Sequence, residues 1–170
     1  SMMTISWMMT TSDLAGDFLN YEEMLIESDN ENLIIKEKPL CSSDGRIKGN
    51  KIAIRHTIKT QTEKSCVLAE ELGHYYTTSG NILDQTDVSN RKQEYRARLY
   101  GYNLKIGLMG LIRAFEHGCR SASDIAEYLD VTEEYLKEAV DCYRSKYGVY
   151  ATVDNYAVYF TPALGVLKID

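Results

Sequence analysis

Residues 66–78 read CVLAEELGHYYTT, and the step from Glu70 to His74 decides how the rest of the chain is read. The apolar CVLA run, with no proline nearby, predicts a helix over about residues 63–78 that stops near Gly80. On a helix, side chains four positions apart lie about 40° from each other, one turn above the other. That is the geometry with which the pattern H-E-x-x-H offers two ligands to one metal ion, and a carboxylate can stand in for an imidazole there. Glu71 is turned by about 100° from Glu70, close enough to reach a water at such a metal without ligating the metal itself. Gly73 leaves room on the helix for another backbone or a substrate. Taken alone, E-E-L-G-H admits three readings. It is a metal site with one ligand exchanged, a site that has lost its chemistry, or an amphipathic helix carrying a carboxylate pair.

The surroundings favour a site. Glu70 and His74 flank an apolar stripe, where a buried polar group needs a partner or a metal. A further helical stretch, RKQEYRARLYGYNLKIG, brings Glu94 twenty residues after His74. A third ligand from an adjacent helix leaves one metal position open for water. Asp84 and Asp87, in the loop SGNILDQTDVSN, could replace Glu94, although loop aspartates mostly make turns. Arg98, one turn beyond Glu94, could hold the free oxygen of that carboxylate or form an ordinary surface pair with it. Tyr75 and Tyr76 could line a cleft and donate to a developing oxyanion, but among thirteen tyrosines packing is the expected role. His56, after a strand, and His117, beside Gly118, read as surface or capping residues.

Around this helix the chain reads as an α+β domain with a helical C-terminal part. TSDLAGDFLNYEEMLIESD predicts a first helix capped by Thr11 or Ser12, with Leu14, Phe18, Tyr21, Leu25 and Ile26 on its apolar face. NLIIKE and GRIKGNKIAIRHTI predict strands, with Gly49-Asn50 as a tight hairpin turn. Ile52 and Ile54 then face one side, and Lys51, Ala53 and Arg55 the other. LMGLIRAFEHG is a helix ending at Gly118, and residues 121–147 are two helices joined around Asp130-Val131. The tail VYATVDNYAVYFTPAL alternates enough for a hairpin. The expected division is a core over residues 2–106 and a helical subdomain with a terminal hairpin over 107–170, forming one compact unit.

Composition limits the partners. Among 170 residues, 44% are apolar and 26% charged, as in ordinary globular proteins. The net charge of -6 speaks against nucleic acid as the main partner. The helical pair has the spacing of a helix-turn-helix, with Ile125, Ala126, Leu129, Val131, Leu136 and Val140 apolar. It carries seven acidic residues against three basic ones, with Glu133, Glu134 and Glu138 on the helix that would enter a groove. No direct DNA binding is therefore expected. Residues 45–64 hold six basic residues and one acidic, and the hairpin there could offer an edge to an extended peptide. Cys41, Cys66, Cys119 and Cys142 form no C-x-x-C pair and read as reduced thiols. No apolar run is long enough to span a bilayer, and the first residues lack a charged n-region or cleavage signal. Cytoplasm is the expected location.

The run CVLAEELGHYYTTSGNILDQ, followed by NRKQEYRARLYGY, resembles the ImmA/IrrE family of metallopeptidases, in particular versions carried by prophages and mobile elements of Gram-positive bacteria. The similarity extends to LIRAFEHG and to DIAEYLDVTEEYLKEAV. The resemblance implies a small gluzincin-like core with a helix-turn-helix-like C-terminal subdomain. It implies His74 as a metal ligand, Glu71 as general base and Glu94 as third ligand, because Glu94-Tyr95-Arg96-Ala97 matches the family's E-x-x-A pattern. Glu70 stands at the other ligand position, where the family usually has histidine. The implied cofactor is zinc or another divalent metal such as manganese. The implied partner is a helix-turn-helix repressor of a prophage or mobile element, cut to relieve repression. A repressor-binding protein that keeps the peptidase fold without its catalysis is the alternative. Two carboxylates and a neutral imidazole cancel a divalent charge, whereas two imidazoles and one carboxylate leave +1 on the centre. The less positive centre acidifies water less, so slow or conditional proteolysis is expected.

Overall fold

The computed structural model describes residues 19–78 and 87–170. Helix α1 (Tyr21–Asn30) starts where the Asn20 side chain accepts the Glu23 N–H at 2.9 Å. The expected cap at Thr11 or Ser12, with Leu14 and Phe18, lies outside the described residues. The helix does not run on continuously from there, because Asn20 is extended (φ −78°, ψ 177°). Its buried stripe is also different. Tyr21, Met24 and Ser28 face inward, while Ile26 is 62% exposed. Counting three and then four residues from Tyr21 leads to Met24 and Ser28 and passes over Ile26.

Strands β1 (Ile34–Lys38), β2 (Gly45–Lys48) and β3 (Lys51–Arg55) form a sheet in the order β1-β3-β2. β1 runs parallel to β3, and β2 antiparallel to it. Gly49 turns the hairpin at φ +61°, a backbone angle that a side chain would strain. Ile52 and Ile54 are buried on one face, while Lys51, Ala53 and Arg55 lie on the other, as the alternation predicts. Thr60 caps α2 (Gln61–Thr77) by accepting the Glu63 N–H at 3.1 Å. Leu68 and Leu72 of α2 then close a core with Tyr21, Met24, Ile52 and Ile54.

Helix α3 (Asp87–Lys105) packs along α2. A side chain at Gly73 would put its Cβ 2.0 Å from the Ala97 carbonyl oxygen, and one at Gly101 would come within 3.0 Å of the Ala69 oxygen. The two helices therefore touch backbone to backbone. Gly107 (φ +64°) turns the chain into α4 (Gly107–His117). Helices α5 (Ala122–Leu129) and α6 (Glu133–Tyr147) are capped by Ser121 and Thr132 and joined through left-handed Asp130. Ile125, Ala126, Leu129, Val131, Leu136 and Val140 are all buried, as their spacing predicts. Strands β4 (Tyr150–Val153) and β5 (Tyr156–Tyr159) make the expected hairpin, to which β6 (Gly165–Lys168) adds a strand the alternation does not announce.

The fold is mixed helix and sheet, of the α+β kind, with its apolar residues in two clusters. The second cluster gathers Leu111, Ile112, Leu129, Tyr143, Val158 and Phe160. Helix α2 serves both, since Cys66 packs into the second while Leu68 and Leu72 pack into the first. Lys105, 1% exposed, donates to the Leu19 carbonyl at 3.0 Å and lies 3.7 Å from Asp130. Asp130 in turn accepts the Thr62 hydroxyl at 2.6 Å, joining the start of α2 to the α5–α6 turn. The four cysteines are free thiols. Among the described residues no helix is long and apolar enough to cross a membrane.

The backbone contact at Gly73 yields the first prediction. Gly73→Ala has no flexible neighbour to displace, so it should destabilise the protein by about 3 kcal/mol, the upper range for overpacking. Urea unfolding measures this. A change below about 0.5 kcal/mol, the range of an ordinary surface substitution, would contradict the close crossing.

Candidate metal centre

The crossing of α2 and α3 brings Glu70, His74 and Glu94 together. Each offers one ligand atom, and these atoms all lie within 4.8 Å of one another. Glu70 and His74 share one face of α2 because they are one turn apart. Glu94 comes from α3, one turn before Ala97, so the Gly73–Ala97 contact sets it against His74. His74 Nε2 lies 3.5 Å from Glu94 Oε2. Bonds of about 2.0–2.1 Å to tetrahedral zinc hold neighbouring ligand atoms about 3.4 Å apart. The donor set of two carboxylates and one imidazole therefore fits a divalent ion in both spacing and charge.

Glu71 sits beside this group, wedged against β2. A Cβ added to Gly45 would lie 2.7 Å from Glu71 Oε1, so only glycine leaves the carboxylate its place. Burial, followed by the charges of Glu70 and Glu94, pushes the Glu71 carboxyl up to about 7 from its ordinary 4.5. A group with that value exchanges protons near neutral pH, as a general base must. A cation among the three neighbouring groups would offset the repulsion that raises it.

The other singled-out residues divide clearly. Tyr75 packs against the first apolar cluster, and Tyr76 stacks on Tyr100 at 5.4 Å between ring centres. Packing accounts for both. Arg98 makes no ion pair with Glu94; its charge acts on the Tyr102 hydroxyl. Its expected support of Glu94 is not formed, since Arg98 is exposed and an i,i+4 pair there competes with solvent. His56 is exposed after β3, and His117 stacks on Tyr128 at 4.6 Å. Neither belongs to a ligand cluster among the described residues. Asp84 lies outside the described residues, and Asp87 begins α3. Beside Glu94, the α3 residues Arg91, Lys92, Tyr95 and Arg96 line a hollow of about 370 Å³.

The family comparison covers the residues of this site. A family model, the IrrE N-terminal-like domain of a peptidase family, matches residues 34–141, which span the sheet, α2, α3 and most of the helices after them. The chain belongs to the ImmA/IrrE family. No curated protein and no solved structure matches the chain. Within the matched region stand all of Glu70, Glu71, His74 and Glu94. Membership of this family makes a metallopeptidase-type enzyme the coarse assignment. Gly45 and Gly101 were not foreseen as parts of the site, and Ala97 was read only as part of the Glu94 pattern, not as the contact of Gly73. Ala69-x-x-x-Gly73 and Ala97-x-x-x-Gly101 are a readable signal, since small residues one turn apart on two helices permit close approach. Gly45 has no such signal, because its contact with Glu71 joins positions far apart in the chain.

The position of Glu71 generates a prediction for the metal-free protein. Between pH 4.5 and about 7 the folded chain holds a proton that the unfolded chain has released, so stability falls as pH rises through that window. Glu71→Gln removes this dependence. The thermal midpoint of wild type minus that of Glu71→Gln should decline across the window and level off above it. A difference that does not vary with pH would contradict the buried, repelled carboxylate.

Proposed function

We propose that the chain is a metal-dependent endopeptidase in which Glu70, His74 and Glu94 hold one divalent cation and Glu71 is the general base. The observation that carries this reading is the convergence of the three groups beside Glu71 in a member of a peptidase family. A bound divalent ion supplies Lewis acidity, polarising a peptide carbonyl and acidifying water. Glu71 takes the proton of the attacking water on its carboxylate and delivers it to the leaving amine nitrogen. Burial, the first cause of its raised pKa, stays in place beside a bound cation and favours taking up the proton.

The reading extends to the architecture. The sheet, α2 and α3 make up a zincin-like core of the gluzincin type, and residues from about 107 onward an appended subdomain whose α5–α6 pair is helix-turn-helix-like. β2 pairs only with β3 among the described residues, so its other edge is open beside Glu71. An extended substrate added to that edge would pass its scissile carbonyl over the site. Arg46 and Lys48 are exposed on the same strand and would meet acidic substrate residues. The substrate class is a helix-turn-helix repressor of a prophage or mobile element, as the family resemblance implies, and the place of action is the cytoplasm. Direct DNA binding is not part of the proposal, because Glu133, Glu134 and Glu138 of α6 are exposed.

One observation favours a second reading. With Glu70 in place of histidine, the centre is neutralised by its own ligands, and zinc loses ground to manganese or a similar ion. A protein that binds the repressor without cutting it would tolerate this exchange. The two readings separate on Glu70→His. If wild type is a slow metallopeptidase, Glu70→His should tighten zinc binding and speed repressor cleavage near neutral pH. Glu71→Gln should keep metal and repressor binding and abolish cleavage. Calorimetric titration with zinc and manganese, with a gel assay on the cognate repressor, measures both. Unchanged metal affinity in His74→Ala would remove the metal centre. Binding of the repressor with no cleavage, by wild type and Glu70→His alike, would favour the non-catalytic reading.

A further inference from the structure

The hydroxyl of Tyr135 is buried and has no hydrogen-bond partner among the described residues, in a side chain only 8% exposed. An unmet buried hydroxyl is uncommon in a native fold and calls for an explanation. Its position is well defined. A Cβ added to Gly101 would lie 3.1 Å from the Tyr135 hydroxyl and 3.0 Å from the Ala69 carbonyl oxygen. The hydroxyl therefore reaches from α6 into the α2–α3 crossing, level with Ala69, the residue before Glu70. The ring is held there by an edge-on contact with Tyr102, 5.0 Å between centres.

Neighbouring hydroxyls are already engaged. Tyr102 donates to Glu138 at 3.4 Å, and Tyr143 donates to Asn103 at 3.0 Å while accepting the Gly107 N–H. Burial holds the Tyr135 phenol well above its ordinary pKa, so it stays a neutral donor, and Glu70 is among the charges that act on it. Glu70 is half-buried and accepts no hydrogen bond from the described residues. A donor that makes no hydrogen bond in this structure thus lies beside Ala69, one residue before a half-buried carboxylate whose charge acts on it.

We propose that Tyr135 is a positioning residue for Glu70, its hydroxyl donating to one carboxylate oxygen while the other faces the metal. This rests on the metal-centre reading and deepens it, since it makes the C-terminal helical part a component of the site. Hydrogen bonds to a ligating carboxylate fix its orientation, and their loss weakens metal binding about 10–100-fold. Gly101 follows from the same arrangement, because any side chain there would crowd the hydroxyl.

The test is zinc titration of the full, metal-free chain, compared among wild type, Tyr135→Phe, Glu70→His and the double variant. Tyr135→Phe keeps the ring against Tyr102 and removes only the donor. It should weaken zinc binding about tenfold without lowering the thermal midpoint of the metal-free protein. In the Glu70→His background the same change should have no effect, because the carboxylate it serves is gone. Unchanged zinc affinity in Tyr135→Phe would overturn the inference and leave the metal centre standing. An equal loss in both backgrounds would also overturn it, showing that the hydroxyl acts through packing. If wild type itself takes up neither zinc nor manganese, the metal-centre reading fails, and the inference falls with it.

Discussion

The contact of Gly73 on α2 with the Ala97 carbonyl on α3 is the constraint on which the rest depends. Only a helix without a side chain at that point lets the neighbouring backbone come so close. Ala69 and Gly101 repeat the arrangement one turn away. Because the two helices cannot slide without a clash, Glu94 is held opposite His74, and Glu70 stays on the same side of the crossing. The candidate ligands are thereby carried on two rigid elements and not on loops, which is how a site keeps its geometry. β2 adds the remaining piece, since Gly45 gives Glu71 its place beside the cluster.

Electrostatics gives this arrangement its purpose. Glu70, Glu71 and Glu94 share one partly buried region, and burial, with the charges of Glu70 and Glu94 adding to it, pushes the Glu71 carboxyl up to about 7. Protonation of Glu71 relieves the repulsion in the absence of metal, and a cation relieves it otherwise. Metal and proton are therefore competing solutions to the same excess of negative charge. Glu70 in place of histidine sharpens the competition, since it adds a carboxylate where an imidazole would add none. The buried Lys105 shows the opposite solution, a charge tied by Asp130 and the Leu19 carbonyl.

Much of this was legible in local sequence. The motif helix, the Gly49-Asn50 hairpin, the helix ending at Gly118 and the α5–α6 pair follow from periodicity and capping, which act over a few residues. Helical spacing put Glu70 and His74 on one face, whereas Glu94 was expected beside them from an adjacent helix and from the family resemblance; their roles as ligands rest on the proposal. The break at Asn20 was not anticipated, because this cap stands inside what looks like one amphipathic run. The support of Glu94 by Arg98 was misread because an exposed i,i+4 pair competes with solvent. β6, Gly45 and Tyr135 were missed because their meaning comes from contacts between distant positions, which no local pattern carries.

Anomalous X-ray diffraction at a metal absorption edge, from crystals of the chain grown with zinc or manganese, tests the metal centre most directly. One anomalous peak should lie within about 2 Å of a carboxylate oxygen of Glu70, a ring nitrogen of His74 and a carboxylate oxygen of Glu94. A peak that omits Glu70 in favour of other side chains, or no peak within reach of His74, would contradict the account.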